Sequence, residues 1–444
     1  MKASGRLFAG LLLSAAVSAH GATLLDLYHE TMASDPRLQK SEAEVAVFQA
    51  REKGARAGLL PQVSAGAQGT RTVRESADTQ GLERRDHYDG ERYYLSLSQP
   101  LYDKARWEAF RSAGKEADQY SVRHEDFQSL VAVDVVDRYT KVLAAEDNYA
   151  FVVAEREAAQ EQYRQVDARY RRQMAKVTDL LAVEARANIL VSQELEALNQ
   201  VSIARESMSE LLGREVSEPF APLREDIHIA WDFSNLEDWV ARGLQSSKHL
   251  QSARLAVETA KGRVKEAQGR RHPTLSVNLN AQKTDIGYEN APTPLAETYV
   301  AALNLSMPLY TGGQISAQVD EAQARLRMAE QEYQQADRLL RKEIREAFLR
   351  SRSAMDRVAA TRKAVVAADK SYQAQKKGFG FGTVTVVDVM TASETLFEAQ
   401  RDYRQAYYDL MVQGMTLFQV SGEFSPQNVA DINAWLEAAG QPGS

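Results

Sequence analysis

The sequence contains no cysteine among its 444 residues. That absence excludes a disulfide framework, a thiolate metal site, a cysteine nucleophile and a lipid anchor on an N-terminal cysteine. Proline and glycine are scarce, at 11 and 24 residues. Breakers of regular structure are therefore few, and a chain rich in Ala, Gln, Glu and Arg leans helical. The seven histidines are scattered without metal-ligand spacing, so neither a metal nor a cofactor is expected. Basic charge is not in excess: 54 Lys and Arg stand against 61 Asp and Glu. That balance argues against nucleic acid as a partner. No stretch approaches the roughly 18 apolar residues of a membrane-spanning helix. Length alone suggests about two or three domains.

What is present begins with an address. Lys2 and Arg6 precede a short apolar core, Leu7 to Val17, followed by the small residues Ala19, Gly21 and Ala22. This pattern is that of a secretory signal peptide over residues 1–22, cut after Ala19 or Ala22. An exported chain with no later spanning helix is either soluble or meets the membrane as β-strands.

The remainder repeats itself. Ser34, Leu38, Gln39, Val45, Arg51, Lys53, Ala55, Pro61 and Ser64 all recur 212 residues later, between Ser246 and Ser276. Pro100-Leu101-Tyr102 returns as Pro308-Leu309-Tyr310, and Tyr163, Val177, Asp179 and Gly213 return as Tyr372, Val386, Asp388 and Gly422. Two tandem copies of one unit, residues 23–222 and 223–444, account for the matches.

Each copy has the same order of elements. A helical pattern over 24–57 opens the first. Strands are expected at about 60–73 and 92–101, where Val63, Ala65, Ala67 and then Tyr93, Leu95, Leu97 alternate with polar residues. Between them Arg74 to Glu91 reads as a charged external loop. The second copy places its strands at about 273–284 and 298–309, with Leu275, Val277, Leu279 and Ala281, then Tyr299, Ala301, Leu303 and Leu305, on one face. Period two gives each strand one apolar and one wet face, and about ten residues suffice for a tilted strand to cross a bilayer. Helices are expected over about 103–173 and 178–212, then 313–377 and 386–420. The long member of each pair, about 70 residues, reaches roughly 100 Å. In the last helix Leu396, Tyr403, Leu410 and Leu417 fall seven apart with Ala399 and Ala406 between them, a coiled-coil seam. Gly213 and Gly422 read as helix caps. A C-terminal periplasmic segment, 423–444, follows, and Trp239 and Trp435 read as packing residues of a periplasmic belt.

Four strands per chain cannot close a membrane barrel, which needs about eight or more. An open edge in lipid leaves backbone groups unpaired, so spanning strands require a homo-oligomer that pools them.

These features resemble the TolC family of outer-membrane channels over essentially all of the mature sequence. The most specific is Phe379-x-x-Gly382-x-x-Thr385-x-x-Asp388 at the turn between the long and closing helices, paired with Tyr170-x-x-Gln173-x-x-Lys176-x-x-Asp179 in the first copy. Gln173 and Lys176 depart from the glycine and small residue usual there. The resemblance implies a mainly α fold: a homotrimer with a twelve-stranded barrel in outer-membrane lipid, continued by a coiled-coil helical barrel through the periplasm. It implies a periplasmic adaptor and an inner-membrane ABC transporter or proton-driven exporter as partners. It also implies a pore constriction at Asp388, Asp179 and Thr178, and adaptor-contact tips at Gly382, Thr383, Val384, Gln173, Met174 and Ala175. A hydroxyl and an arginine of the family's closed entrance are missing here, where Phe379 and Val384 stand.

Enzyme motifs fail on context. Ser112-Ala-Gly-Lys115 lies inside a predicted long helix without its companion motifs, and Gly378-Phe-Gly-Phe-Gly382 lacks phosphate-loop spacing. The expected function is a passive exit duct for a protein driven by an ABC transporter, type I secretion. The alternatives are small-molecule efflux through the same kind of channel, and a non-channel periplasmic coiled-coil tether.

Overall fold

A computed structural model describes residues 23–77, 79–224, 227, 229, 231–285 and 295–436. The proposed signal peptide and the last residues of the C-terminal segment lie outside these. The first half runs α1 (Leu24–Ser34), α2 (Pro36–Ala57), β1 (Gln62–Ala77), β2 (Glu83–Tyr102), α3 (Lys104–Arg171) and α4 (Val177–Leu212). The second runs α5 (Leu236–Ser246), α6 (Lys248–Gly269), β3 (Thr274–Asp285), β4 (Ala296–Ser306), α7 (Gln314–Gly380), α8 (Val386–Val420) and a short α9 (Pro426–Ala434).

The opening helical pattern is two helices, not one. Asp35 ends α1 and caps α2, its carboxylate accepting from Arg37 N at 2.7 Å, with Pro36 as the first helical residue. Proline is tolerated there because its missing N–H would have no partner in the helix. Ser247 makes the same break between α5 and α6.

The four strands form one antiparallel sheet in the order β1-β2-β3-β4. Pro100 sits at a bulge between β2 and β3, where a residue without an N–H does least damage to a ladder. The expected charged loop from Arg74 to Glu91 is instead mostly strand: β1 and β2 stay paired out to Ala77 and Glu83. Opposite charges face each other across this ribbon, Arg71 to Asp89 at 3.1 Å and Arg85 to Glu75 at 3.2 Å. A two-stranded ribbon in water needs no apolar face, so the apolar alternation that marks the rest of the sheet is missing from it. The turn is short, with Gly81 at φ +81. At the other end β4 stops at Ser306, and Leu309 and Tyr310 lie outside it, fully exposed.

The helices pair along their lengths. Leu396, Leu410 and Leu417 of α8 are buried, and the last two pack on Leu340, Ile344, Ala347 and Phe348 of α7. Ala406 is also buried, and Tyr403 is partly so. Halfway along, a belt surrounds α3: Leu24, Leu27 and Tyr28 of α1 and Val429 and Ile432 of α9 share a core with Val135, Val136 and Tyr139. Trp239 is buried against Phe233 and Phe418, and Trp435 lies edge-on to Trp231 with ring centroids 4.9 Å apart. Both tryptophans are packing residues of the belt.

Candidate functional site

The distinctive geometry lies at the two helix tips, farthest from the sheet. Both turns are built alike. In the first, Gln173 N donates to Tyr170 O at 2.8 Å and Met174 N to Arg169 O at 2.8 Å. In the second, Gly382 N donates to Phe379 O at 3.1 Å and Thr383 N to Gly378 O at 3.0 Å. The long i-to-i+5 bond belongs to a Schellman-type helix end, which requires a left-handed residue. Gly382 supplies it at φ +76. Gln173 adopts the same conformation at φ +62, alone among the described non-glycine residues. The departure from glycine therefore changes the cost of the turn, about 1–2 kcal/mol for an L-residue, and leaves its shape intact.

The next helices start differently. Thr385 caps α8: its hydroxyl accepts from Asp388 N at 3.2 Å, and Asp388 Oδ2 accepts from Thr385 N at 2.8 Å and from the Thr385 hydroxyl at 2.7 Å. The Thr385 hydroxyl and then its N–H hold the Asp388 carboxyl below the usual aspartate range, so it is charged at neutral pH. In α4 the cap is Lys176, which gives no side-chain bond. Thr178 and Asp179 occupy the first turn there, the threonine exposed and the aspartate half-buried. Each tip thus carries one carboxylate at the N-terminus of its closing helix, exposed at Asp388 and half-buried at Asp179.

The remaining tip residues divide in two. Met174, Gly382 and Thr383 are exposed, as is Phe381 at 85 %, which sequence reasoning did not single out. Ala175 and Val384 are half-buried. Ala175 joins an apolar cluster of Val166, Val183 and Val386 with Tyr163, Leu180, Phe379 and Met390, which ties one hairpin to the other. Phe379 has no hydroxyl, but the Arg169 guanidinium lies 4.3 Å from its ring centroid, and Arg169 Nη1 donates to the Phe379 carbonyl at 3.5 Å. A cation over an aromatic face joins the two tips here.

Higher up, a buried carboxylate joins the hairpins again. Glu155 of α3 accepts from Arg186 of α4 at 2.5 Å and from Arg401 of α8 at 3.2 Å, and Arg186 also reaches Glu394 at 3.0 Å. Near it, Tyr408 donates to Asp147 at 2.7 Å. The α3–α8 junction therefore contains several polar links, whereas the seam inside the α7–α8 hairpin is apolar.

At the opposite end the sheet has one apolar and one polar face. Val63, Leu95, Leu279, Leu303 and Leu305 are exposed on the first. Tyr93 and Tyr299 stand next to a charged rim, where Lys283 pairs with Glu297 at 3.4 Å. The other face presents Ser64, Ser96, Asn278, Asn280 and Gln282 in register. Such an apolar band bordered by aromatic residues is what a lipid bilayer covers. No described helix is long and apolar enough to cross a membrane.

The serine of the S-x-x-K motif is spent on structure: buried Ser112 donates to Glu108 O at 2.9 Å and lies against Gly262, where α3 meets α6.

Comparison with known proteins agrees with this architecture. The family described as "Outer membrane efflux protein" matches residues 27–214 and again 239–423, one match per half. The chain is 27% identical over 435 residues to the outer membrane protein TolC of Vibrio cholerae, covering 96% of each chain. It is 27% identical to the alkaline protease secretion protein AprF of Pseudomonas aeruginosa, over 91% of this chain and 85% of that one. In fold it is similar to the outer membrane protein VceC of Vibrio cholerae, with a TM-score of 0.76 at 17% identity over 90% of this chain and 96% of that one. TolC and VceC are outer membrane proteins and AprF is a protease secretion protein, and the family is not one of enzymes. The chain belongs to the outer membrane efflux protein family, the family of TolC.

Proposed function

We propose that three copies of this chain form a duct through the outer membrane, the exit of a tripartite export machine. The observation that carries this reading is the sheet: four strands, apolar on one face and wet on the other, with both outer edges, β1 and β4, unpaired. Three copies joined edge to edge give twelve strands and satisfy those edges. A barrel of that size leaves a lumen, and its wall is the Ser, Asn and Gln face. The paired helices continue the lumen as a second barrel on the periplasmic side. The duct holds no energy source of its own, so free energy comes from an inner-membrane pump reached through a periplasmic adaptor. Met174, Gly382, Thr383 and the projecting Phe381 are the surface offered to that adaptor; Gln173, Ala175 and Val384 shape it.

Within this reading the pump is an ABC transporter and the cargo a protein. Likeness to a protease secretion protein over nearly the whole chain supports that choice. Small-molecule efflux is the second reading, favoured by the family's own description. Deleting the gene separates them: type I secretion predicts loss of one protein from the culture medium with unchanged drug tolerance, and efflux predicts the reverse.

Three copies of Asp388, with Asp179 and Thr178 beside them, would ring the periplasmic entrance and favour cations. Asp388→Asn should lower the cation-to-anion permeability ratio about threefold, since one of the two carboxylates per chain at the ring is lost. Trimer formation should not change, because asparagine can still accept from Thr385. Reversal potentials in a salt gradient measure the effect; unaltered values would reject a pore role for Asp388.

A further inference from the structure

The polar face of the sheet carries one charged side chain over its four-stranded part. Register places Arg92 on the face of Gln68, Tyr94, Gln282 and Thr284, with Ser, Asn, Thr, Gly and Ala around them. The nearby charged residues Glu91, Lys283, Asp285 and Glu297 alternate onto the other face. Arg92 therefore lacks a counter-ion: among the described residues its guanidinium donates once, from Nη2 to Gln282 Oε1 at 2.9 Å. Its Nε is buried without a hydrogen-bond partner, and so is Asn280 Oδ1 on the same face. A buried guanidinium donor without a partner is costly unless something accepts from it.

The local structure holds the arginine in place. The Tyr94 ring lies over the backbone at Gly66, where a Cβ would come within 2.4 Å of it. The Arg92 guanidinium sits 5.8 Å from that ring's centroid. Glycine at position 66 thus lets the tyrosine lie flat against the wall, and Tyr94 and Gln282 flank the guanidinium. The height is defined as well, since Arg92 adjoins Tyr93 of the aromatic rim at the end of the sheet away from the helices.

We infer that Arg92 is an anion-binding site on the lumenal wall at the outer mouth, taking polyanions such as polyphosphate or clustered carboxylates. This rests on the trimeric-duct reading, in which three copies of Arg92 form a ring. The duct is then electrostatically polarised: carboxylates line the periplasmic entrance and guanidinium groups the outer exit. Guanidinium is suited to the role because its fork binds phosphate and carboxylate oxygens in pairs.

The test is block of single-channel current by tripolyphosphate. Protein added to one chamber of a planar bilayer inserts barrel first, because the helical extension cannot cross, so the outer mouth faces the opposite chamber. Tripolyphosphate should block the unmodified channel at lower concentration from that chamber than from the helical side. In Arg92→Gln the blocking concentration from the outer side should rise about tenfold, and Arg92→Lys should retain part of the block. Channels that open normally and show no sidedness, or that block equally after Arg92→Gln, overturn the inference and leave the duct standing. A purified chain that forms no oligomer and no channel overturns the duct, and the ring with it. Arg92→Lys keeps the charge and loses the fork, so partial block from the outer side in that variant keeps the test open if Arg92→Gln misfolds.

Discussion

Replacing Glu155 with alanine should weaken the junction of the two helical hairpins by about 3 kcal/mol, among the largest effects of any single side chain in the periplasmic part. The side chain is 4% exposed and lies between two arginines that are themselves 18% and 25% exposed. Losing a buried carboxylate leaves both guanidinium groups away from water with their main counter-charge gone. Arg186 keeps Glu394 at 3.0 Å, whereas Arg401 has no second carboxylate among the described residues. Glu157 is the control. It sits two residues away, 67% exposed, and pairs with Arg156 at 3.8 Å. Its replacement by alanine should change stability by under about 0.5 kcal/mol, as exposed pairs do. Unfolding midpoints in detergent compare the two. If Glu155→Ala unfolds with Glu157→Ala, the buried junction does not hold the hairpins together.

The second large effect comes from a glycine whose counterpart in the other half is harmless by comparison. Gly213 and Gly422 end α4 and α8 in the left-handed region, at φ +69 and +70. Alanine in that conformation costs about 1–2 kcal/mol at either site. At Gly213 nothing lies within 4 Å of the added Cβ, so that is the whole penalty. At Gly422 the Cβ would lie 2.4 Å from Ser246 O and 2.8 Å from Ser247 Cα, backbone atoms of the joint between α5 and α6. Backbone cannot rotate aside, so Gly422→Ala should cost about 2 kcal/mol more than Gly213→Ala and displace the belt there. Equal unfolding midpoints for the two variants would mean that the joint yields without strain.

Which parts of the molecule the sequence reveals follows from the range of each interaction. Alternation of Leu303 and Leu305 with Ala302 and Asn304 marks β4 because lipid and lumen lie on opposite faces of every residue pair. The ribbon beyond Thr72 has water on both sides, so its charges alternate by cross-strand partner and carry no apolar signal. The capping box Thr385–Asp388 closes within four residues and is legible from them. Gln173 at a position that needs φ > 0 is not, because glutamine has no preference for that region; only the repeat's alignment with Gly382 points to it. Arg169 on Phe379, and Glu155 between Arg186 and Arg401, join residues 31 to 246 positions apart. Their pairing depends on how long helices lie against each other, within a hairpin and between the two, which no local pattern encodes. Arg92 follows Glu91 in a stretch of mixed charge, so its lack of a counter-ion is visible only once β2 and β3 are paired.

The central claim is that the chain pools its strands into a conducting oligomer. Single-channel recording on the detergent-purified protein, with its mass in detergent measured in parallel, tests it most directly. The account predicts a trimer that produces discrete, cation-selective steps. A monomer that leaves the bilayer silent would contradict it.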